Sequence, residues 1–177
     1  KAPIEVQETD EKVYCKGQGF LYTYHKLTGL FEQICFAGRT YLNQPMEVNI
    51  WRAPTDNDMY LKAEWKRAHY HQTYTRAYQT TVSQKQSGVV IHTTMSVLAA
   101  AIQPIICLDS IWTIDCDGGI HVQMKAVKNS EFPELPRFGL RLFLNQKLDH
   151  VSYYGMGPNE NYRDKCRSSS HGLYQAK

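Results

Sequence analysis

Residues Ile105 to Ile114 alternate in part between the two faces of a strand (Ile106, Leu108, Ser110, Trp112, Ile114), stop at Asp115-Cys-Asp-Gly-Gly119, and resume at once as Ile120-His-Val-Gln-Met-Lys-Ala-Val127. A period of two on both sides of a Gly-bearing turn predicts an antiparallel hairpin. The same signal recurs along the chain. Gly19-Phe-Leu-Tyr-Thr-Tyr-His25 and Gly29-Leu-Phe-Glu-Gln-Ile-Cys-Phe36 flank a Lys26-Leu-Thr-Gly29 turn, in which Gly29 supplies the positive φ. Gly88 to Val97 is rich in β-branched residues, and Phe138–Leu144 and Val151–Tyr154 complete the expected strands. One stretch reads as helix, Tyr60 to about Tyr70, with Leu61, Trp65 and Ala68 on one face and Asp58 placed to cap it. Short strands about ten residues apart, without βαβ alternation, predict an all-β antiparallel sandwich forming a single domain over residues 1–177.

The composition agrees with a packed domain. Of 177 residues, 42% are apolar and 21% charged, enough to bury a core and too ordered a mixture for wholesale disorder. A net charge of +3 is too small to imply nucleic acid or an acidic membrane as partner. The longest apolar window, Val97 to Ile106, is broken by Gln103 and Pro104 and falls short of the roughly 20 residues of a membrane span. The chain opens Lys-Ala-Pro with no apolar leader, so a signal peptide is not expected within it; either one was removed or the chain belongs to a longer polypeptide. Five cysteines, odd in number and without a C-x-x-C pair, suggest buried, inert thiols in a reducing compartment and no zinc site.

Chemistry concentrates in Asn49-Ile-Trp-Arg-Ala-Pro-Thr-Asp-Asn-Asp58. Asp56-Asn57-Asp58 has the flavour of a calcium loop, but the fifth, sixth and twelfth positions would be Tyr60, Leu61 and Arg67, which cannot serve. Two uses remain open. The loop caps the helix and is stapled by an Arg52–Asp pair, or it presents carboxylates and amides to sugar hydroxyls. His69 and His71 would point in different directions on a helix and lack a third ligand. Nucleophile-elbow, P-loop and dinucleotide fingerprints are absent, and Gly155-Met-Gly-Pro-Asn159 does not open a helix. Glu47, Glu134 and Glu160 are available carboxylates, but no spacing pairs two of them as a glycosidase requires.

Two motifs carry a resemblance. Trp51-Arg-Ala-Pro-Thr-Asp-Asn-Asp58 and Tyr154-Gly-Met-Gly-Pro-Asn-Glu-Asn-Tyr162, with Trp65-Lys66 between them, resemble the signatures R-A-P-x-D-N-D, W-K and G-x-G-P-x-E-N-Y. These belong to the C-terminal domain of large β-galactosidases in glycoside hydrolase family 2. The resemblance implies an antiparallel supersandwich of the galactose-mutarotase-like type, belonging to a retaining enzyme that releases terminal β-D-galactose. It places the catalytic glutamates in a TIM barrel elsewhere, so no catalytic residue is expected here. Asp56 and Asn57 become candidates for the rim of the sugar site, and Arg52 and Asp58 structural members of their loop. Gly157, Pro158, Glu160, Asn161 and Tyr162 form a motif of unassigned role.

The resemblance further implies that the partners are the other domains of the parent enzyme and its β-galactoside substrate, in a cytoplasmic homo-oligomer. No cofactor is expected in this segment; the family's Mg and Na ions are bound mainly by other domains. The family domain usually continues about a hundred residues past G-P-x-E-N-Y, so the later part of the sandwich is expected outside these residues. Met59-Tyr60-Leu61 is shorter than the family's mobile flap, and no flap role is carried over. The alternative is a free-standing carbohydrate-binding or aldose-mutarotase-like module, which would need His92 or His121 to work with Glu47 or Glu160.

Overall fold

A computed structural model describes residues 3–159, 161 and 166–176, and they divide between two compact units, Lys1–Phe143 and Leu144–Lys177. The fold is all-β, as expected, with several antiparallel sheets and, among the described residues, one α-helix.

In the larger unit, β1 (Glu5–Glu8), β2 (Lys12–Gly17), β3 (Phe20–His25), β4 (Leu30–Phe36) and β5 (Arg39–Thr40) form a five-stranded meander in sequence order. β6 (Leu42–Asn49) leads to the loop at residues 50–60 and α1 (Leu61–Arg67). A second sheet follows, with β7 (Tyr74–Lys85), β8 (Gly88–Leu98), β9 (Ile106–Asp115) and β10 (Ile120–Lys128) in the order β10-β9-β8-β7. β11 (Gly139–Leu144) returns to pair with β6. In the smaller unit, β12 (Val151–Gly157) and β13 (Ser170–Ala176) form a hairpin with Tyr154 opposite Leu173.

The two large sheets share one core, which is why their strands alternate. Phe31 on β4 meets Trp112 on β9 edge-on at 5.1 Å, and Phe20 stacks on Tyr22 at 4.7 Å. Two tyrosines reach across the sandwich with their hydroxyls satisfied: Tyr22 donates to the Gly118 carbonyl at 2.6 Å, and Tyr24 shares a 2.8 Å hydrogen bond with Thr93. Burial pushes both phenols up to about 12, so they stay neutral. Gly29 has the expected positive φ, +73°, and a Cβ there would lie 2.6 Å from the Met95 sulfur. The β3–β4 turn therefore requires glycine for packing as well as for its backbone.

Some expectations need correction. The helix stops at Arg67, short of Tyr70: Ala68 N–H makes a last bond to Glu64 O, and His69 then takes a left-handed φ of 58°. Leu61 is exposed while Trp65 and Ala68 are buried, so the apolar stripe is narrower than its spacing suggests. Of the five thiols only Cys15 is buried, its pKa pushed up to about 11 by burial, while Cys107 and Cys166 are exposed. The uniformly buried set expected from the sequence is not found.

Candidate functional site

The segment leaving β6 is organised around Trp65. Asn49 Oδ1 accepts the Trp51 N–H at 3.1 Å and turns the chain out of the sheet. The half-buried Trp51 ring meets Trp65 edge-on at 6.5 Å, and the Arg52 guanidinium lies 5.4 Å from the Trp65 centroid. Trp65 is itself moored from below. Its indole N–H donates to the Glu134 carbonyl at 2.9 Å, and Tyr70 donates to the Pro133 carbonyl at 2.7 Å. The Pro-bearing 131–136 loop thus carries the helix, and a cavity of about 450 Å³ remains between them beside Arg67 and Phe132.

Arg52 and Asp58 form a bidentate pair, with Nη1 to Oδ2 at 2.5 Å and Nη2 to Oδ1 at 2.8 Å. Asp58 Oδ2 also accepts the Thr55 N–H at 2.8 Å and the Thr55 hydroxyl at 3.0 Å. Asp58 is 6% exposed, and its carboxyl is held down to about 2, first by the Arg52 hydrogen bonds and then by the Thr55 N–H. The expected stapling by Arg52 is present. The expected capping of the helix by Asp58 is not: Tyr60 occupies the N-cap position of α1, and no side chain caps it. The reason is saturation, since a carboxylate engaged by Arg52 and Thr55 has nothing left for the α1 amides.

An acid-side prediction follows from this pair. Because the folded-state pKa lies below the ordinary value near 4, the stabilisation is complete above about pH 4 and disappears as pH falls towards about 2. Denaturant titrations between those limits should show the wild-type chain losing stability more steeply than Asp58→Asn. Parallel slopes for the two proteins would mean that the pair contributes nothing.

Asp56 and Asn57 occupy the same short 3₁₀ turn, Asp56–Asp58, as the buried Asp58. Both are exposed, and neither side chain has a hydrogen-bond partner among the described residues. One turn therefore carries a buried, fully committed acid beside an uncommitted carboxylate and amide. Such a pair can accept from and donate to vicinal hydroxyls without first breaking an internal contact.

Elsewhere the expected groups do not converge. Gly157 ends β12, buried against Tyr153 and Tyr174, and a cis peptide joins it to Pro158. Pro158 and Asn161 are exposed, whereas Glu160 and Tyr162 lie outside the described residues. His92 pairs with Asp109 at 2.8 Å, His121 with Asp115 at 3.5 Å, and Glu47 with Arg141 at 3.7 Å. Hence no His–Glu couple is assembled among the described residues. Nor do those residues hold a group of three His, Cys, Asp or Glu able to bind a metal. Sequence reading missed Thr55 and the mooring of Trp65 and Tyr70. Contacts to backbone carbonyls more than sixty positions away leave no local signature.

Comparison with known proteins adds an independent finding. A family model described as beta galactosidase small chain matches residues 16–177. A β-galactosidase of Actinobacillus pleuropneumoniae is 37% identical over 98% of this chain and 17% of its own length. The β-galactosidase of Lactobacillus delbrueckii subsp. bulgaricus is 31% identical over 97% of the chain and 17% of its length, and that of Staphylococcus xylosus 29% over 92% and 16%. The chain thus spans only 16–17% of these curated relatives.

Proposed function

Since the chain belongs to the beta-galactosidase small-chain family, we propose that it works as a non-catalytic domain of a longer, retaining β-galactosidase of glycoside hydrolase family 2. The parent hydrolyses terminal β-D-galactose residues, with its two catalytic glutamates in a TIM barrel contributed by other domains. This chain shapes the rim of the sugar site and the subunit architecture of a cytoplasmic homo-oligomer, and its sandwich is of the galactose-mutarotase-like type. The Mg and Na ions of the family are assigned to the other domains.

The observation that carries the reading is the division of labour within residues 52–58. Arg52 and Asp58 pair in two parallel hydrogen bonds that brace the turn, while Asp56 on the same turn stays exposed. Asp56 and Asn57 are exposed on a turn held by the bonds of Asp58 to Arg52 and Thr55, with Arg52 in turn against Trp65. A sugar hydroxyl arriving from a neighbouring domain would meet uncommitted partners on a braced turn, which is how a rim residue aids catalysis without touching the reacting bond.

A chromogenic β-galactoside offers the direct test. The full polypeptide is expected to turn it over, and the 177-residue chain alone to leave it intact at milligram amounts. Turnover by the isolated chain that survives repurification and vanishes on a single Glu→Gln change would overturn the non-catalytic assignment.

A further inference from the structure

The face of the β7–β10 sheet turned away from the core carries a mixture of polar and apolar side chains. There a cavity of about 400 Å³ opens between β7 and β10, at the small end of the range for ligand pockets. Its aromatic wall exists because of an irregularity in β7. Pairing with β8 runs Ala77 to Met95 and then Gln79 to Thr94, so Tyr78 is skipped, and this β-bulge leaves its ring 59% exposed at the cavity edge. Arg76 lies over the same ring at 6.0 Å. The opposite wall is Val127, 58% exposed on β10.

The remaining lining is polar in a particular way. Asp109 and Lys125 are direct register partners on β9 and β10, so the lining itself carries one charge of each sign, with Arg76 over the Tyr78 ring at its edge. His92 holds Asp109 at 2.8 Å. At the floor, Ser96 is 2% exposed, and among the described residues its hydroxyl has only the Cys107 sulfur as partner, at 3.8 Å. A serine hydroxyl set against a thiol keeps most of its capacity to donate and accept. An anion or cation would meet its own sign as well as the opposite one. A purely apolar guest would strand the Ser96 hydroxyl and desolvate two charges. The lining suits a neutral ligand with one apolar face for Tyr78 and several hydroxyls for Asp109, Lys125 and Ser96.

We propose that this cavity is a saccharide-binding subsite that places the apolar face of a pyranose ring on Tyr78. It shares no residue with the 51–58 loop and stands or falls independently of the rim role given to Asp56. An open site of this kind binds weakly, with Kd on the order of millimolar.

Cys107 provides the readout, being exposed and part of the lining. The full polypeptide is alkylated with iodoacetamide in D-galactose, D-glucose, isopropyl thio-β-D-galactoside or, as osmotic control, betaine. Labelling rates are then resolved cysteine by cysteine by mass spectrometry. At about three times its Kd, a bound saccharide should slow Cys107 about fourfold and saturably, while the exposed Cys166 keeps its rate. Tyr78→Ala and Asp109→Ala should each abolish the protection, and Tyr78→Phe should retain it. The buried Cys15 stays unlabelled in any variant that is folded, which identifies misfolding directly. The proposal is overturned if no saccharide protects Cys107, if betaine protects it equally, or if protection survives in folded Tyr78→Ala and Asp109→Ala. It is also overturned if Cys107 cannot be labelled in the native full polypeptide, since another domain would then occupy the cavity.

Discussion

Trp65→Ala should destabilise the fold by about 3–5 kcal/mol, the usual result of deleting a buried indole from a packed site. Two losses coincide at this position. The ring is 2% exposed, so its removal leaves a void beneath Trp51 and Arg52. The Glu134 carbonyl also loses its donor, which adds about 1 kcal/mol or more. Against the roughly 5–15 kcal/mol that holds a domain together, the change should move the denaturation midpoint far enough for any probe to register it. Trp65→Phe separates the contributions, because it keeps an aromatic face for Arg52 and gives up the indole N–H. Urea melts followed by circular dichroism supply the comparison. A shift worth less than about 1 kcal/mol for Trp65→Ala would show that the stack does not support the loop.

Asp56→Ala should have the opposite profile, with catalysis impaired and stability kept. Asp56 is exposed, so truncating it breaks no side-chain hydrogen bond among the described residues. If it meets a sugar hydroxyl, losing a hydrogen bond to a charged group costs about 1.5–3 kcal/mol of transition-state binding, or about ten- to a hundredfold in kcat/KM. The measurement belongs in the full polypeptide, with a chromogenic galactoside and a thermal melt on the same preparation. Asn57→Ala should follow the same pattern with a smaller loss, since a neutral amide makes weaker hydrogen bonds than a carboxylate. Normal kinetics per folded molecule in Asp56→Ala would return residues 56 and 57 to scaffold.

How far the residues disclosed all this depended on which faces they bury. The hairpins at residues 20–36 and 106–128 were legible because inward positions are apolar and the turns contain glycine. β6 escaped notice because Pro45 sits inside it, and proline ordinarily argues against an interior strand. β7 and β13 escaped because an edge strand and a two-stranded ribbon bury too little for alternation to show. β2 was masked by lysines flanking Val13 and Cys15. At the candidate site, the Arg52–Asp58 pairing could be read from proximity in sequence. The allocation of Asp58 to Arg52 and Thr55 instead of the helix could not, because it depends on which of several nearby donors the folded backbone brings within reach.

The Tyr22–Gly118 hydrogen bond bridges residues 96 apart, and it closes the same core in which Phe31 meets Trp112. A ribosome working at about 5–20 residues per second needs roughly 5–20 s to cover that separation. Throughout that interval the aromatic face of the first sheet is already synthesised while its cover is not. A nascent chain with Phe20, Tyr22, Tyr24 and Phe31 on one uncovered surface presents transient apolar surface of the kind chaperones hold, until β8 and β9 clear the exit tunnel.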